Sequence, residues 1–150
     1  MIRVQQAPFD ACAEQQALLR GRTDIGALVC FTGLVRDFNE APDVTALTLE
    51  HYPGMTESAL EAIVVEAESR WPLEGVRVIH RIGRLTPGDP IVLVAVASAH
   101  RRAAFEACDF IMDYLKTRAP FWKKEHTGGG DYWVAERDAD HADASRWATI

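Results

Sequence analysis

An unbroken apolar run, followed at once by a long helical pattern, constrains the fold of this chain more than any other feature. Residues 91–97 contain only Ile, Val, Leu and Ala, so neither side of a strand formed here would suit contact with water. Such a run is typical of a strand that is buried on both faces at the centre of a sheet. The next segment, residues 101–118, predicts a helix. Its apolar positions form one stripe: Phe105, Cys108, Met112 and Leu115.

The rest of the chain predicts an α+β domain. Strands are predicted at residues 1–6, 25–35, 44–51, 76–82 and 131–136, and helices at residues 10–20, 56–71 and around Arg146 and Trp147. Asp10 and Thr56 are the expected N-caps, and the strand at residues 44–51 is expected to pair with the strand at residues 25–35 as a hairpin. No repeat or linker divides the chain. Residues 1–150 are therefore expected to form one domain, with helices packed on a largely antiparallel sheet.

Composition and charge argue against several classes of function. The formal net charge is −6, whereas nucleic-acid-binding domains usually need a broad basic face. The chain contains no run of 18 apolar residues, and its first residues lack the apolar core of a secretory signal. Three widely spaced cysteines without a Cys-x-x-Cys pair indicate reduced thiols in a cytoplasmic protein: Cys12, Cys30 and Cys108. No metal and no cofactor are predicted, because four histidines lack metal-ligand spacing and are interpreted as structural or exposed: His51, His80, His126 and His141.

Residues 116–125 concentrate positive charge in this acidic chain. Pro120 disfavours helical geometry at Ala119, so the long helix is predicted to end there and to be followed by a turn held by aromatic side chains. Lys116 and Lys123 then lie on either side of the bend. This arrangement suits binding of an anion or activation of an amine. It equally suits a basic helix end that balances its own dipole, with solvated lysines beyond it.

Further cations are predicted at the ends of buried elements. Arg36 follows the strand at residues 25–35, and His100 and Arg101 lie where the central strand meets the long helix. Free N–H groups at a helix N-terminus favour anions, although Arg36 and His100 each suit a purely structural role as well. Lys116 is fifteen positions after Arg101, about 22 Å along a helix. One site could use both residues only through a long ligand or a second subunit.

Five segments occur in an order that identifies a family resemblance. They are Phe-Thr-Gly-Leu-Val-Arg (31–36), Leu-Glu-His-Tyr-Pro-Gly-Met (49–55), Ile-His-Arg-Ile-Gly (79–83), Ser-Ala-His-Arg (98–101) and Tyr-Leu-Lys-Thr-Arg-Ala-Pro-Phe-Trp-Lys-Lys-Glu (114–125). Together they resemble the large, catalytic subunit of molybdopterin synthase. Each segment alone is weak as a signal, whereas their order and spacing over most of the chain are specific.

The resemblance implies an α/β hammerhead-type fold and a cytoplasmic homodimer. It also implies a small ubiquitin-like partner whose C-terminal Gly-Gly, as a thiocarboxylate, enters the large subunit, and two such partners complete a heterotetramer. The implied reaction is a sulfur transfer that converts cyclic pyranopterin monophosphate into molybdopterin, with one dithiolene sulfur from each thiocarboxylate.

The resemblance also implies roles for individual residues. Lys116 would contact the partner's tail beside an apolar wall that includes Met112, and Lys123 would lie near the reacting pterin side chain, so both lysines are candidate catalytic residues. Leu34 fills a variable position with an apolar side chain. The full set of implied substrate contacts is Leu34, Val35, Arg36, His100, Arg101, Lys116, Lys123, Lys124, Glu125 and, with a weaker match, Arg137.

Two rival functions remain open at this point. Lys116 could form a Schiff base with a carbonyl substrate. Alternatively, the chain could be a non-catalytic module that binds a ubiquitin-like tail or a phosphorylated ligand.

Overall fold

Two four-stranded sheets and four helices make up the described part of the chain, residues 1–36, 43–134 and 138–148 of this computed structural model. In chain order the elements are β1 (Ile2–Gln5), α1 (Ala11–Leu19), β2 (Ala27–Leu34), β3 (Val44–His51), α2 (Met55–Arg70), β4 (Leu73–Arg81), β5 (Gly83–Leu85), β6 (Pro90–Ser98), α3 (Arg101–Arg118), β7 (Phe121–Thr127), β8 (Gly130–Val134) and α4 (Asp138–Ser145).

The first sheet has the order β1-β4-β6-β2 and confirms the apolar run as a central strand. Strand β6 lies between β4 and β2, antiparallel to both, while β1 runs parallel to β4. Residues 92–97 of β6 are all buried, as a strand covered on both faces requires. Helix α3 lies across the middle of this strand, where the Cys108 thiol donates to the Val94 carbonyl at 3.8 Å. The predicted mixed, largely antiparallel architecture is thus confirmed.

The apolar stripe of α3 differs from the predicted one. Phe105 is 61% exposed, so its assignment to the core is wrong, whereas Phe110 is fully buried. Phe110 contacts Trp71 and Trp147, with ring centroids 5.3 and 5.6 Å apart. The buried positions of α3 include Ala104, Ala107 and Ile111, and Phe105 lies about 100° around the helix from Ala104, on the side that faces solvent.

The second sheet has the order β5-β3-β7-β8, and it corrects two predictions. Strand β3 pairs with β5 and β7, so the predicted hairpin between residues 25–35 and 44–51 is wrong. Strand β2 instead pairs along its whole length with β6. The predicted turn after Pro120 is wrong as well, because residues 121–127 form β7. The second sheet has its own small core, formed by Val35, Leu47, Leu49 and Leu85.

The chain passes from the first sheet to the second at residues 81–83. Arg81, 9% exposed, donates from its guanidinium to the carbonyls of Gln6 and Pro90 and so fixes the end of β4. Gly83 has φ +87°, which a residue with a side chain rarely adopts, and this geometry turns the chain into β5. The motif Ile-His-Arg-Ile-Gly is therefore the junction of the two sheets.

None of the described helices is both long and apolar enough to cross a membrane. Within the same residues, no group of three or more His, Cys, Asp and Glu side chains is arranged to hold a metal ion.

Candidate active site

Lys116 and Lys123 lie before and after Phe121 in the chain, and the ring of Phe121 forms a stack where the two sheets meet. Helix α3 ends at Arg118, and Ala119 is extended (ψ 130°), as Pro120 predicts. Strand β7 then begins with Phe121, whose ring stacks on His80 with centroids 3.8 Å apart and planes 18° apart. Lys123 is two residues further along and projects from the same face of the strand as Phe121, about 7 Å on. Lys116 is exposed on the last turn of α3.

Thr56 holds the bend between the two lysines. Its hydroxyl donates to the Pro120 carbonyl at 2.9 Å and accepts from the Tyr52 amide at 3.0 Å. Thr56 is fully buried, so both bonds are shielded from water. The prediction of Thr56 as the N-cap of the second helix is wrong, because Gly54 occupies that position. The Thr56 hydroxyl therefore joins the first turn of α2 to the bend instead of capping the helix.

His80 is buried and uncharged beneath Lys116. Its Nδ1 lies 2.8 Å from the Arg81 carbonyl, and since a carbonyl only accepts, the ring proton is on Nδ1. Burial lowers the pKa of His80 to about 4, and the charges of Lys116 and His51 add to this lowering. Of the two predicted possibilities for His80, structural or exposed, the structure shows a buried, structural residue next to the candidate site.

Because the pKa of His80 is lowered in the folded protein, we expect the protein to lose stability in acid. In the unfolded chain its pKa returns to about 6.5, so between pH 6.5 and 4 the unfolded state binds a proton that the folded state excludes. The free energy of unfolding is then expected to fall as the pH drops through this window, by up to about 3 kcal/mol, with no contribution from His80 above it. Urea unfolding of wild type and His80→Phe at pH 7 and pH 4.5 measures this. The variant should lose less stability on acidification, and equal losses would contradict the assignment.

The end of β2 joins the small core of the second sheet, next to the strand that carries Lys123. Val35 is buried, and its backbone is held by the Asp89 carbonyl at 2.9 Å and the Gly88 amide at 2.8 Å. Val35 contributes to the small core with Leu49, and Leu49 is paired with Lys123 across the β3–β7 ladder. Opposite residues of a ladder project from one face, so Lys123 and this core share a face. Leu34 and Arg36, on either side of Val35, are both exposed.

Residues next to Lys116 and Lys123 in the chain project from different faces of their helix or strand. Lys124 projects from the face of β7 opposite to Lys123, and its ammonium lies 4.5 Å from the centre of the Trp133 ring. Glu125 returns to the face of Lys123. Met112, one turn before Lys116, is half-buried against the main core. Arg137 lies outside the described residues.

His100 and Arg101 lie at the other end of the molecule. Two residues join β6 to α3, so the helix runs back along its strand and ends where the strand began. Arg101 and Lys116 are thus at opposite ends of one straight helix, about 22 Å apart. Arg101 is exposed, beside a shallow surface depression that it lines with Arg102, Phe105 and Glu106. In one copy of the chain, the predicted cations therefore form two groups.

Sequence reasoning missed the residues that support the lysines. The supporting roles of His80 and Thr56 were not predicted, because neither residue carries a spacing signal. His80 lies within Ile-His-Arg-Ile-Gly, one of the five segments of the family resemblance, and that segment was the available signal.

Comparison with known proteins gives a consistent result. A profile of the MoaE protein family matches residues 4–118. The chain is similar to the molybdopterin synthase catalytic subunits of Yersinia pestis (64% identical over 146 residues, 97% of this chain and 96% of the relative) and Pseudomonas aeruginosa (60% over 146 residues, 97% of each). Its structure is similar to that of a molybdopterin biosynthesis MoaE protein from Burkholderia ambifaria, with a TM-score of 0.85, 53% identity and coverage of 99% of this chain and 97% of that one.

Proposed function

The chain belongs to the MoaE protein family, and from this premise we propose how its residues perform the reaction of a molybdopterin synthase catalytic subunit. The reaction transfers sulfur from the C-terminal thiocarboxylate of a small ubiquitin-like partner to cyclic pyranopterin monophosphate. Two transfers install the dithiolene of molybdopterin, in the biosynthesis of the molybdenum cofactor. In each transfer the partner's acyl–sulfur bond breaks, and water returns its carbonyl carbon as a carboxylate.

The placement of Lys116 and Lys123 around the His80–Phe121 stack carries this proposal. A thiocarboxylate tail and a cyclic phosphate are both anions, so the site must bring two negative groups close together. Lys116 receives the tail beside the half-buried Met112, and Lys123 faces the reacting side chain of the pterin. Two ammonium groups in the segments that this stack supports meet this need, because a cation that is fixed in place stabilises charge without reorganising.

The lysines act through position, charge and proton transfer. A cation beside the thiocarboxylate holds the sulfur in attacking geometry and stabilises the oxyanion formed when the acyl–sulfur bond is hydrolysed. A lysine ammonium also donates a proton to the oxygen that leaves the pterin side chain. Arg36 neutralises phosphate next to the backbone of Leu34 and Val35. Further contacts come from Lys124, Glu125 and Arg137.

His100 and Arg101 serve the site of a second copy of the chain. They lie about 22 Å from Lys116 of their own copy, too far for a compact substrate. A homodimer that places the start of α3 of one copy beside the end of α3 of the other supplies both groups to one substrate. With a partner in each of the two sites, the assembly is a heterotetramer. We place it in the cytoplasm.

A single-turnover assay tests the proposed function. The protein is mixed with thiocarboxylated partner and cyclic pyranopterin monophosphate, and mass spectrometry follows both. The expected result is a pterin that gains two sulfurs while partner tails exchange sulfur for oxygen. A partner that ends in an ordinary carboxylate is the matched control and should give no product.

Two other outcomes would replace this function. A non-catalytic binding module would retain the tail and return the pterin unchanged. A Schiff-base enzyme would be trapped by borohydride on Lys116 with a small carbonyl compound in the absence of any partner.

A further inference from the structure

We propose that His80 is a positioning residue for the two lysines: its ring, stacked on Phe121, fixes where β7 leaves the Pro120 bend and thereby sets the distance between Lys116 and Lys123. His80 touches neither substrate nor partner in this scheme and acts only through the segment that it supports. The inference rests on the proposed function and names a residue that this function requires.

The stack joins the two sheets at the point where the lysine segment begins. His80 belongs to β4 in the first sheet, and Phe121 is the first residue of β7 in the second. Their centroids are 3.8 Å apart, in full contact. On its other side, Phe121 is paired with His51 across the β3–β7 ladder. The first residue of β7 is therefore held by both sheets at once.

The imidazole has an anchor that a purely apolar ring would lack. The Nδ1 proton of His80 is donated to the carbonyl of Arg81, and Arg81 is itself bonded to Gln6 and Pro90. The plane of the ring is thus tied to the backbone of the sheet junction. Its burial, with 6% exposure, prevents water from competing for this bond.

Thr56 also supports the bend, and we infer that His80 and Thr56 together set the distance between the two lysines. Thr56 holds the Pro120 carbonyl, one residue before Phe121. Lys116 is fixed by α3 before the bend, and Lys123 is fixed by β7 after it. The residues between them join the helix to the strand, and His80 and Thr56 contact this stretch from the first sheet and from α2. An uncharged ring at this place also adds no repulsion to Lys116.

The test compares His80→Ala and His80→Phe with a matched core variant, Val78→Ala. Val78 lies two residues earlier on the same face of β4 and is fully buried, but a valine has no ring to stack on Phe121 and no side-chain hydrogen bond to lose. Since an error of about 1 Å in geometry can cost 10²-fold, we expect His80→Ala to lower kcat by about 10²-fold with KM for the partner nearly unchanged. His80→Phe keeps a ring that can stack on Phe121 but loses the Nδ1 anchor, so it should recover part of the lost kcat. Val78→Ala should retain kcat per folded molecule.

Hydrogen exchange of the β7 amides gives a readout that is independent of turnover. In His80→Ala, residues 121–125 should exchange faster relative to the rest of the second sheet, whereas Val78→Ala should leave this segment unchanged. The proposal is overturned if His80→Ala keeps the kcat of Val78→Ala, if His80→Phe is as slow as His80→Ala, or if β7 exchange is unaffected. A wild-type protein that transfers no sulfur would defeat the proposed function instead, and the exchange result would still decide the role of His80.

Discussion

Replacement of Lys116 by alanine is expected to lower sulfur transfer by about 10²–10³-fold, the loss typical of removing one preorganised charge-stabilising group. Lys116 is exposed on the last turn of α3 and supports no buried contact, so its loss should leave the fold intact. The partner should still dock, because docking uses a much larger surface than one ammonium group. The single-turnover assay measures the rate, and gel filtration with the thiocarboxylated partner measures complex formation.

Arg118→Ala is the matched control for this variant. Arg118 lies on the same helical turn and is also a cation, but its guanidinium pairs with Glu66 at 3.0 Å and covers the ring of Tyr114. Its removal takes away one positive charge from the same helix end without touching the proposed site. Lys116→Arg separates charge from proton transfer, since arginine keeps its charge but does not give up a proton near neutral pH. Near wild-type transfer by Lys116→Ala would refute the assignment of Lys116.

The central strand and the long helix were predictable because each is determined by its own residues. An apolar run such as residues 91–97 is satisfied only by burial on both faces, and the structure buries residues 92–97. The limits of α3, Arg101 and Arg118, follow from local signals, above all from the backbone restriction that Pro120 imposes. Such signals do not depend on the rest of the fold.

Strand pairing was not predictable in the same way, because it depends on partners distant in sequence. The segments β2 and β3 are consecutive and both suited to a hairpin, yet each finds a better partner elsewhere: β2 beside β6, and β3 beside β7. Strand β7 was not predicted because of its charged residues. Its residues alternate between two faces, but Lys123 and Lys124 gave the segment the composition of a loop.

The candidate site shows the same division between local and distant information. The lysines were found because they bracket a proline and because the surrounding motif is specific. Their support was not found, since the contact of His80 with Phe121 joins two sheets and that of Thr56 with Pro120 joins a helix to a distant bend. Nothing in the local sequence distinguishes such side chains from ordinary core residues.

A mixed dimer of two inactive variants is expected to recover activity if the site uses two copies of the chain. Lys116→Ala and Arg101→Ala should each be severely impaired, by about 10²-fold or more. In a symmetric dimer that carries one copy of each, one site receives both lesions and the other receives none. Doubly tagged mixed dimers should therefore show about half of wild-type transfer, far above either parent.

The separation of Arg101 and Lys116 along one rigid helix makes this experiment decisive. Coexpression of each variant with a differently tagged copy of itself is the control, and it should restore nothing. If a single copy held the whole site, with a long ligand spanning α3, every site in the mixed dimer would carry one lesion. The mixed dimer would then remain as inactive as its parents. Recovery requires that the intact Lys116 of one copy and the intact Arg101 of the other act on the same substrate, because no other pairing in that dimer is free of a substitution.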